Sequence, residues 1–231
     1  MSLTLVVESC KAALIALADG SSADEEYLGS DFATLRTDFM SILALLHAAS
    51  TKVALSLKPS SPQHKASLAP LKDLSNNVAA VVHSIRLMRR THGATMLSEY
   101  EGVARNVVSS IEHFIQSFVE SELEGSTSND YLVGVGKVHE LIDSAKKPGG
   151  LSLNNREAVR KKWRQDHDSL ADAAEEIQDM CKAPSGNEVD EEEFLGDGWD
   201  ELGLDSKQAL SPEERDRTEK VCIRWSQVPG Y

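Results

Sequence analysis

Apolar residues recur along this chain in alternating steps of three and four, and that period constrains the fold more than any other feature. Phe32, Leu35, Phe39, Ile42, Leu46, Ala49 and Val53 follow it in one stretch. Leu71, Leu74, Val78, Val81, Ile85 and Met88 follow it in the next, then Leu97, Tyr100, Ala104, Val107, Ile111, Phe114 and Phe118. A shorter stretch carries Tyr131, Val135, Val138 and Ile142, and a last one Trp163, His167, Leu170, Ala174, Ile177 and Cys181. At about 3.6 residues per turn, this spacing lays one apolar stripe along each helix, as bundle helices crossing near +20° require. No stretch alternates with period two over a useful length, so essentially no sheet is expected. Aromatics make up only 5% of the chain, so the core must be mostly Leu, Val, Ile and Ala.

The interruptions fall where a bundle needs them. A first helix over about Leu3 to Ala18 is followed by a break at 20–29. Pro59, Pro62 and Pro70 bracket the next loop, with Pro70 placed to open the third helix. Gly93, residues 125–129 and Pro148-Gly149-Gly150 mark three further turns. Gly134 and Gly136 each cost about 1 kcal/mol relative to Ala inside a helix, and their use there is close helix approach. Asn154 with Glu157 resembles a capping box at the start of the sixth helix, with Asn155 as the alternative cap. Short connections between long helices favour antiparallel neighbours. The expected fold is all-α: an antiparallel up-and-down bundle of five to six helices over residues 1–181. A long acidic loop over 182–210 follows, then one extra C-terminal helix over 211–231, opened by the Ser211-Pro212-Glu213-Glu214 cap.

Charge and composition exclude several functions. The formal net charge is -13, which disfavours a phosphate-binding surface and an anionic membrane but leaves basic partners open. Cys10, Cys181 and Cys222 have no Cys-x-x-Cys spacing and read as buried or free thiols of a reducing compartment. Glu8 and Lys11 interrupt the N-terminal apolar residues, so no signal peptide is expected, and no run approaches the ~20 apolar residues of a membrane span. An intracellular, soluble protein is the expectation. The seven histidines form no metal-binding pair, and Gly134-Val135-Gly136-Lys137 lacks the first Gly and the Ser or Thr of a phosphate loop. Asp190, Glu192 and Asp197 lack the ligand order of a calcium loop. No nucleophile motif is present, so neither a catalytic residue, a cofactor nor a metal is expected.

Two features point to protein partners. Residues 188–205 hold nine carboxylates and no basic residue, yet also carry Phe194, Leu195, Trp199, Leu202 and Leu204, which a purely solvating linker does not need. With Asp200 and Glu201 these residues are the candidate docking segment. The sixth helix is the second feature. Arg156, Arg160, Lys161, Lys162 and Arg164 crowd its start, and Asp168, Asp172, Glu175, Glu176 and Asp179 crowd its end. A helix dipole prefers the opposite order, each charge being worth roughly 0.3–1 kcal/mol. Arg160, Lys161 and Arg164 are therefore candidates to receive a carboxylate-rich segment, this chain's own or a partner's; the alternative is a charged outer face tolerated by packing.

The segment Asn155-Arg156-Glu157-Ala158-Val159-Arg160-Lys161-Lys162-Trp163, with its continuation from Asp168 to Glu176, resembles a helix of the cyclin-D-binding (GCIP or Maid) family. The Gly198-Trp199-Asp200-Glu201-Leu202 insert and the Leu210-Ser211-Pro212-Glu213-Glu214-Arg215 restart are similar too, in an order that matches fungal-type members from about Asp31 to Val221. The resemblance implies a non-enzymatic helical protein whose bundle is similar to those of vinculin and α-catenin. It implies binding of D-type cyclins and helix-loop-helix transcription factors, in nucleus and cytoplasm, as a regulator of cell cycle or transcription. A structural adaptor of the vinculin type is the alternative. Relatives continue into a second bundle, whereas this sequence stops at Tyr231, so the last helix is expected to be the start of a truncated one.

Overall fold

The computed structural model describes residues 2–20, 31–89, 93–124 and 130–182, together with 213–214, 216–218 and 220. Among the described residues the long helices are, in chain order, α1 (Leu3–Ala18), α2 (Phe32–Ser56), α3 (His64–Met88), α4 (Ala94–Glu124), α5 (Asp130–Lys146) and α6 (Asn155–Lys182), and residues 213–214, 216–218 and 220 are helical as well. No strand occurs among the described residues. Met1–Lys161 forms one compact unit, and the described residues from Lys162 onward fall in a second.

In the first unit, α2 packs on α3, α3 on α4, α4 on α5 and α5 back on α2, which closes a four-helix square. Short connections alternate the helix directions, so the square is up-and-down. α1 lies along α3 and α4, away from its chain neighbour α2. The local start signals are ordinary side-chain caps: Ser2 Oγ accepts from Leu5 N at 3.3 Å, and Asp31 Oδ1 accepts from Thr34 N at 2.8 Å.

The stripes meet in this core. All six predicted positions of α3 and all four of α5 are buried, as are Phe39, Val107, Ile111 and Phe114. In α2, Leu43 rather than Ile42 is fully buried, because a stripe of period 3.6 drifts across two adjacent positions. The few aromatics sit at two levels of the square. Tyr100 meets Phe32 and Phe39 edge-on at 5.5 and 5.4 Å, and Phe118 lies 5.4 Å from Phe114 and 5.3 Å from Tyr131.

Three local expectations are corrected. Pro70 does not open α3 but lies inside it, because the helix already starts at His64, where Ala66 N and Ser67 N donate to Gln63 O. Pro70 has no N–H to give back to Ala66, and the buried Ser67 and Leu71 on either side hold the turn regardless. The Phe32–Ser56 helix is long and, over its most apolar 18 residues, apolar enough to cross a membrane by length and composition. Its apolar face is spent on the core, with Leu35, Phe39, Leu43, Leu46, Ala49 and Val53 all buried. The third correction concerns α6, whose stripe is not buried: Trp163 keeps 63% and Leu170 50% of its surface, and His167 is exposed as well.

The glycines divide by neighbour. A Cβ on Gly134 would lie 3.1 Å from Phe114 Cα, so this residue permits the close α4–α5 approach, whereas Gly136 faces open space. Gly149 has φ +77° and so takes the left-handed turn that ends α5.

Candidate interaction surface

The junction from α5 to α6 is built on the start of α4. Asn154 is the cap of α6: its Oδ1 accepts from Glu157 N at 3.0 Å, while Glu157 Oε2 accepts from Leu153 N at 2.7 Å. The reciprocal bond thus reaches one residue further back than in an ordinary capping box. Asn155 serves a different helix, its Oδ1 accepting from Met96 N at 3.1 Å in the first turn of α4. Gly93 makes room for it, because a Cβ there would collide with the Asn155 amide. Glu99 binds the Ser152 N–H and hydroxyl at 3.0 Å each, and Tyr100 donates to Ser152 O at 3.0 Å. Burial raises the Tyr100 phenol above its ordinary pKa, with Arg36 beside it opposing the shift, so it remains a donor.

This network decides the part played by Lys161. Its Nζ donates to Gly150 O at 2.7 Å and lies 3.7 Å from Glu99 Oε2, so its charge is already matched inside the junction. Arg160 and Arg164 are exposed and have no ion-pair partner among the described residues. Of the three predicted basic residues, the structure therefore leaves two with free heads and ties the third to the bundle. Phe194, Leu195, Trp199, Asp200, Glu201, Leu202 and Leu204 lie outside the described residues, as do the side chains of Cys181 and Cys222.

The candidate chemistry elsewhere is structural. Cys10 is buried and free, and burial, with Glu112 adding to it, pushes its thiol up to about 12, so it stays protonated and a poor nucleophile. His47 and His139 stack with ring centroids 3.7 Å apart, joining α2 to α5. Thr51 and Ser50 both donate to His47 O, so His139 Nε2, 3.1 Å from Thr51 Oγ1, is the donor in that contact. Desolvation first, and His47 second, lower the His139 pKa. Among the described residues no group of three or more His, Cys, Asp or Glu side chains is placed to hold a metal ion. A half-open cavity of about 230 Å³ lies between the start of α1, the α2–α3 turn and the end of α4, lined largely by Leu3, Leu57, Leu68, Leu71 and Val119. His64 and Glu122 are its ionisable residues, too few to form an acid–base constellation with an oriented nucleophile.

Sequence reasoning missed the Glu99–Ser152–Lys161 network, the cap that Asn155 makes on α4, the histidine stack and the Arg89 clasp. Arg89 donates to Glu101 at 2.7 Å and to Leu17 O at 2.6 Å, tying α3 to both α4 and α1. These contacts join residues far apart in the chain. The paired asparagines Asn154 and Asn155 carried the only local hint.

Among the described residues the fold is a helical bundle whose buried polar groups hold helices together, with Arg160, Arg164 and Trp163 exposed on α6. The family model described as "Grap2 and cyclin-D-interacting, N-terminal" matches residues 38–183, more than half of the chain, and the chain belongs to that family, a protein-interaction family. Neither the comparison with curated proteins nor that with solved structures returned a match.

Proposed function

We propose that this chain is a non-enzymatic regulatory module of the cyclin-D-binding type, at work in cell-cycle or transcription regulation in the cytoplasm, the nucleus or both. The observation that carries the reading is the family match over residues 38–183, which runs from within α2 through α6. The family's name supplies the partner class, a D-type cyclin. Helix-loop-helix transcription factors are the second partner class that the resemblance implies. The acidic segment 182–210, through Phe194, Leu195, Trp199, Leu202 and Leu204, is the proposed docking element, its carboxylates steering a basic partner surface and its large side chains anchoring it.

Binding of a purified D-type cyclin to the full chain, measured by calorimetry, tests this. Trp199→Ala with Leu202→Ala is expected to weaken binding about ten-fold or more, the size typical of anchor residues. Equal affinities would reduce the segment to a linker. No binding by the unaltered chain would remove the cyclin reading and leave the vinculin-like adaptor, to be tested with actin-linked proteins.

A further inference from the structure

Helix α6 from Lys162 onward carries an apolar stripe exposed at Trp163 and Leu170 and half-buried at Ala174 and Ile177, and a charge order that opposes its own dipole. Trp163, His167, Leu170, Ala174 and Ile177 fall within about 40° of one line at 100° per residue. Trp163 is 63% exposed and Leu170 50%. An exposed Trp at one end of an apolar line is the composition of an interface anchor, and Ala174 and Ile177 extend that line past Leu170 by another turn. The same wheel sets Arg164 and Glu175 on one flank of the stripe, and Lys162 and Glu176 on the other. Arg164, Glu175 and Glu176 have no ion-pair partner among the described residues, and Lys162 has only the exposed pair with Asp166 at 2.5 Å, an interaction that is readily exchanged.

We propose that this face is a homodimer seam, on which α6 of a second copy of the chain lies antiparallel. Three features select that occupant. Antiparallel pairing about Leu170 sets Leu170 against its own copy, Trp163 against Ile177 and His167 beside the small Ala174, so large side chains meet at the middle and at both ends of the seam. The same register brings Arg164 opposite Glu175 and Lys162 opposite Glu176, on both flanks and twice by symmetry. The inverted dipole order also becomes favourable. The basic start of each α6 lies beside the negative C-terminal end of its partner, and the acidic end beside the partner's positive N-terminal end. A parallel copy would set like charges together on both flanks, and so is rejected by the same residues.

Sedimentation equilibrium of the full chain tests the seam. The unaltered chain is expected to dimerise with rising concentration, more tightly at low salt. Leu170→Asp, at a half-exposed position that the core does not use, is expected to weaken the dimer about ten-fold or more while helix content by circular dichroism is retained. A charge exchange checks the orientation independently of any effect of Leu170→Asp on folding. Lys162→Glu with Arg164→Glu, and Glu175→Lys with Glu176→Lys, should each weaken self-association, and mixing the two variants should restore it. A disulfide formed between a Trp163→Cys chain and an Ile177→Cys chain, but not between two Trp163→Cys chains, marks the antiparallel register. The proposal is overturned by a chain that stays monomeric at the highest attainable concentration. It is equally overturned if the mixed variants fail to associate, or if the disulfide forms between two Trp163→Cys chains. A wild-type chain that is monomeric alone and binds a different helical protein through Leu170 also overturns it, assigning the stripe to that partner.

Discussion

The stripe of α3 and the stripe of α6 are written with the same three-four spacing, yet Leu71 through Met88 are buried while Trp163 and Leu170 keep 63% and 50% of their surface. The chemistry around them explains the difference. The α3 stripe is flanked by Ser, Asn and Ala positions that let neighbouring helices close in, and it sits between α2, α4 and α1. The α6 stripe is flanked by charges at nearly every other position. Periodicity therefore announces that a helix has a face to cover, and the flanking residues say whether the cover is another helix of the same square or one held by ion pairs.

The comparison breaks most clearly at its extremes. Phe39→Ala, at a fully buried position, is expected to cost about 3–5 kcal/mol of unfolding free energy in urea titration. Leu170→Ala, measured dilute enough to keep the chain monomeric, should stay within about 0.5 kcal/mol. Equal costs at the two sites would mean that the α6 stripe is buried in solution. Next in size, Gly150→Ala sets a Cβ against the carbonyl oxygens of Ser144 and Ala145, backbone atoms that cannot swing aside. A loss of about 1–3 kcal/mol is expected, read as a lower thermal midpoint. The two glycines of α5 sharpen the contrast within a single helix. Gly136→Ala, in open space, should gain up to about 1 kcal/mol from helix propensity. At Gly134 the same gain is offset by crowding on Phe114 Cα, so Gly134→Ala should fall clearly below it in the same melts.

The smallest effect belongs to pH. Burial and His47 hold the His139 pKa below its ordinary 6.5, so the unfolded chain takes up this proton first as pH falls. Stability is unaffected by this group well above 6.5 and decreases as pH falls from there through the lower folded value, with Asp143 moderating the change. His47→Gln removes the neighbouring charge and should flatten that part of the stability–pH curve. An unchanged slope would assign the acid sensitivity to other groups.

Most of the bundle was legible in the sequence because its information is local. Leu3–Ala18 forms the first helix as its apolar run and flanking breaks predict, and the α5 stripe matches residue for residue. Where local rules competed, the structure chose among them: Pro70 was outvoted by the turn at Gln63, and Asn154 and Asn155 each took a cap, on different helices. What stayed illegible depends on distant partners. Nothing beside Lys161 announces that its charge is matched by Glu99 and a glycine carbonyl, so it resembled Arg160 and Arg164 in the sequence while differing from them in the fold. The exposure of Trp163 was hidden for the same reason, since a stripe looks alike whether or not a neighbour reaches it.

The seating of α1 on α3 and α4 has a consequence for the chain as it is made. Val6, Val7, Cys10 and Leu17 are translated well before their partners on α4, and about a hundred residues must follow before that helix is complete. At ordinary elongation rates this leaves a sticky helix waiting for roughly five to twenty seconds. The hairpins α2–α3 and α4–α5 join chain neighbours and can zip as each emerges, whereas α1 must wait for α4, a contact of long sequence separation.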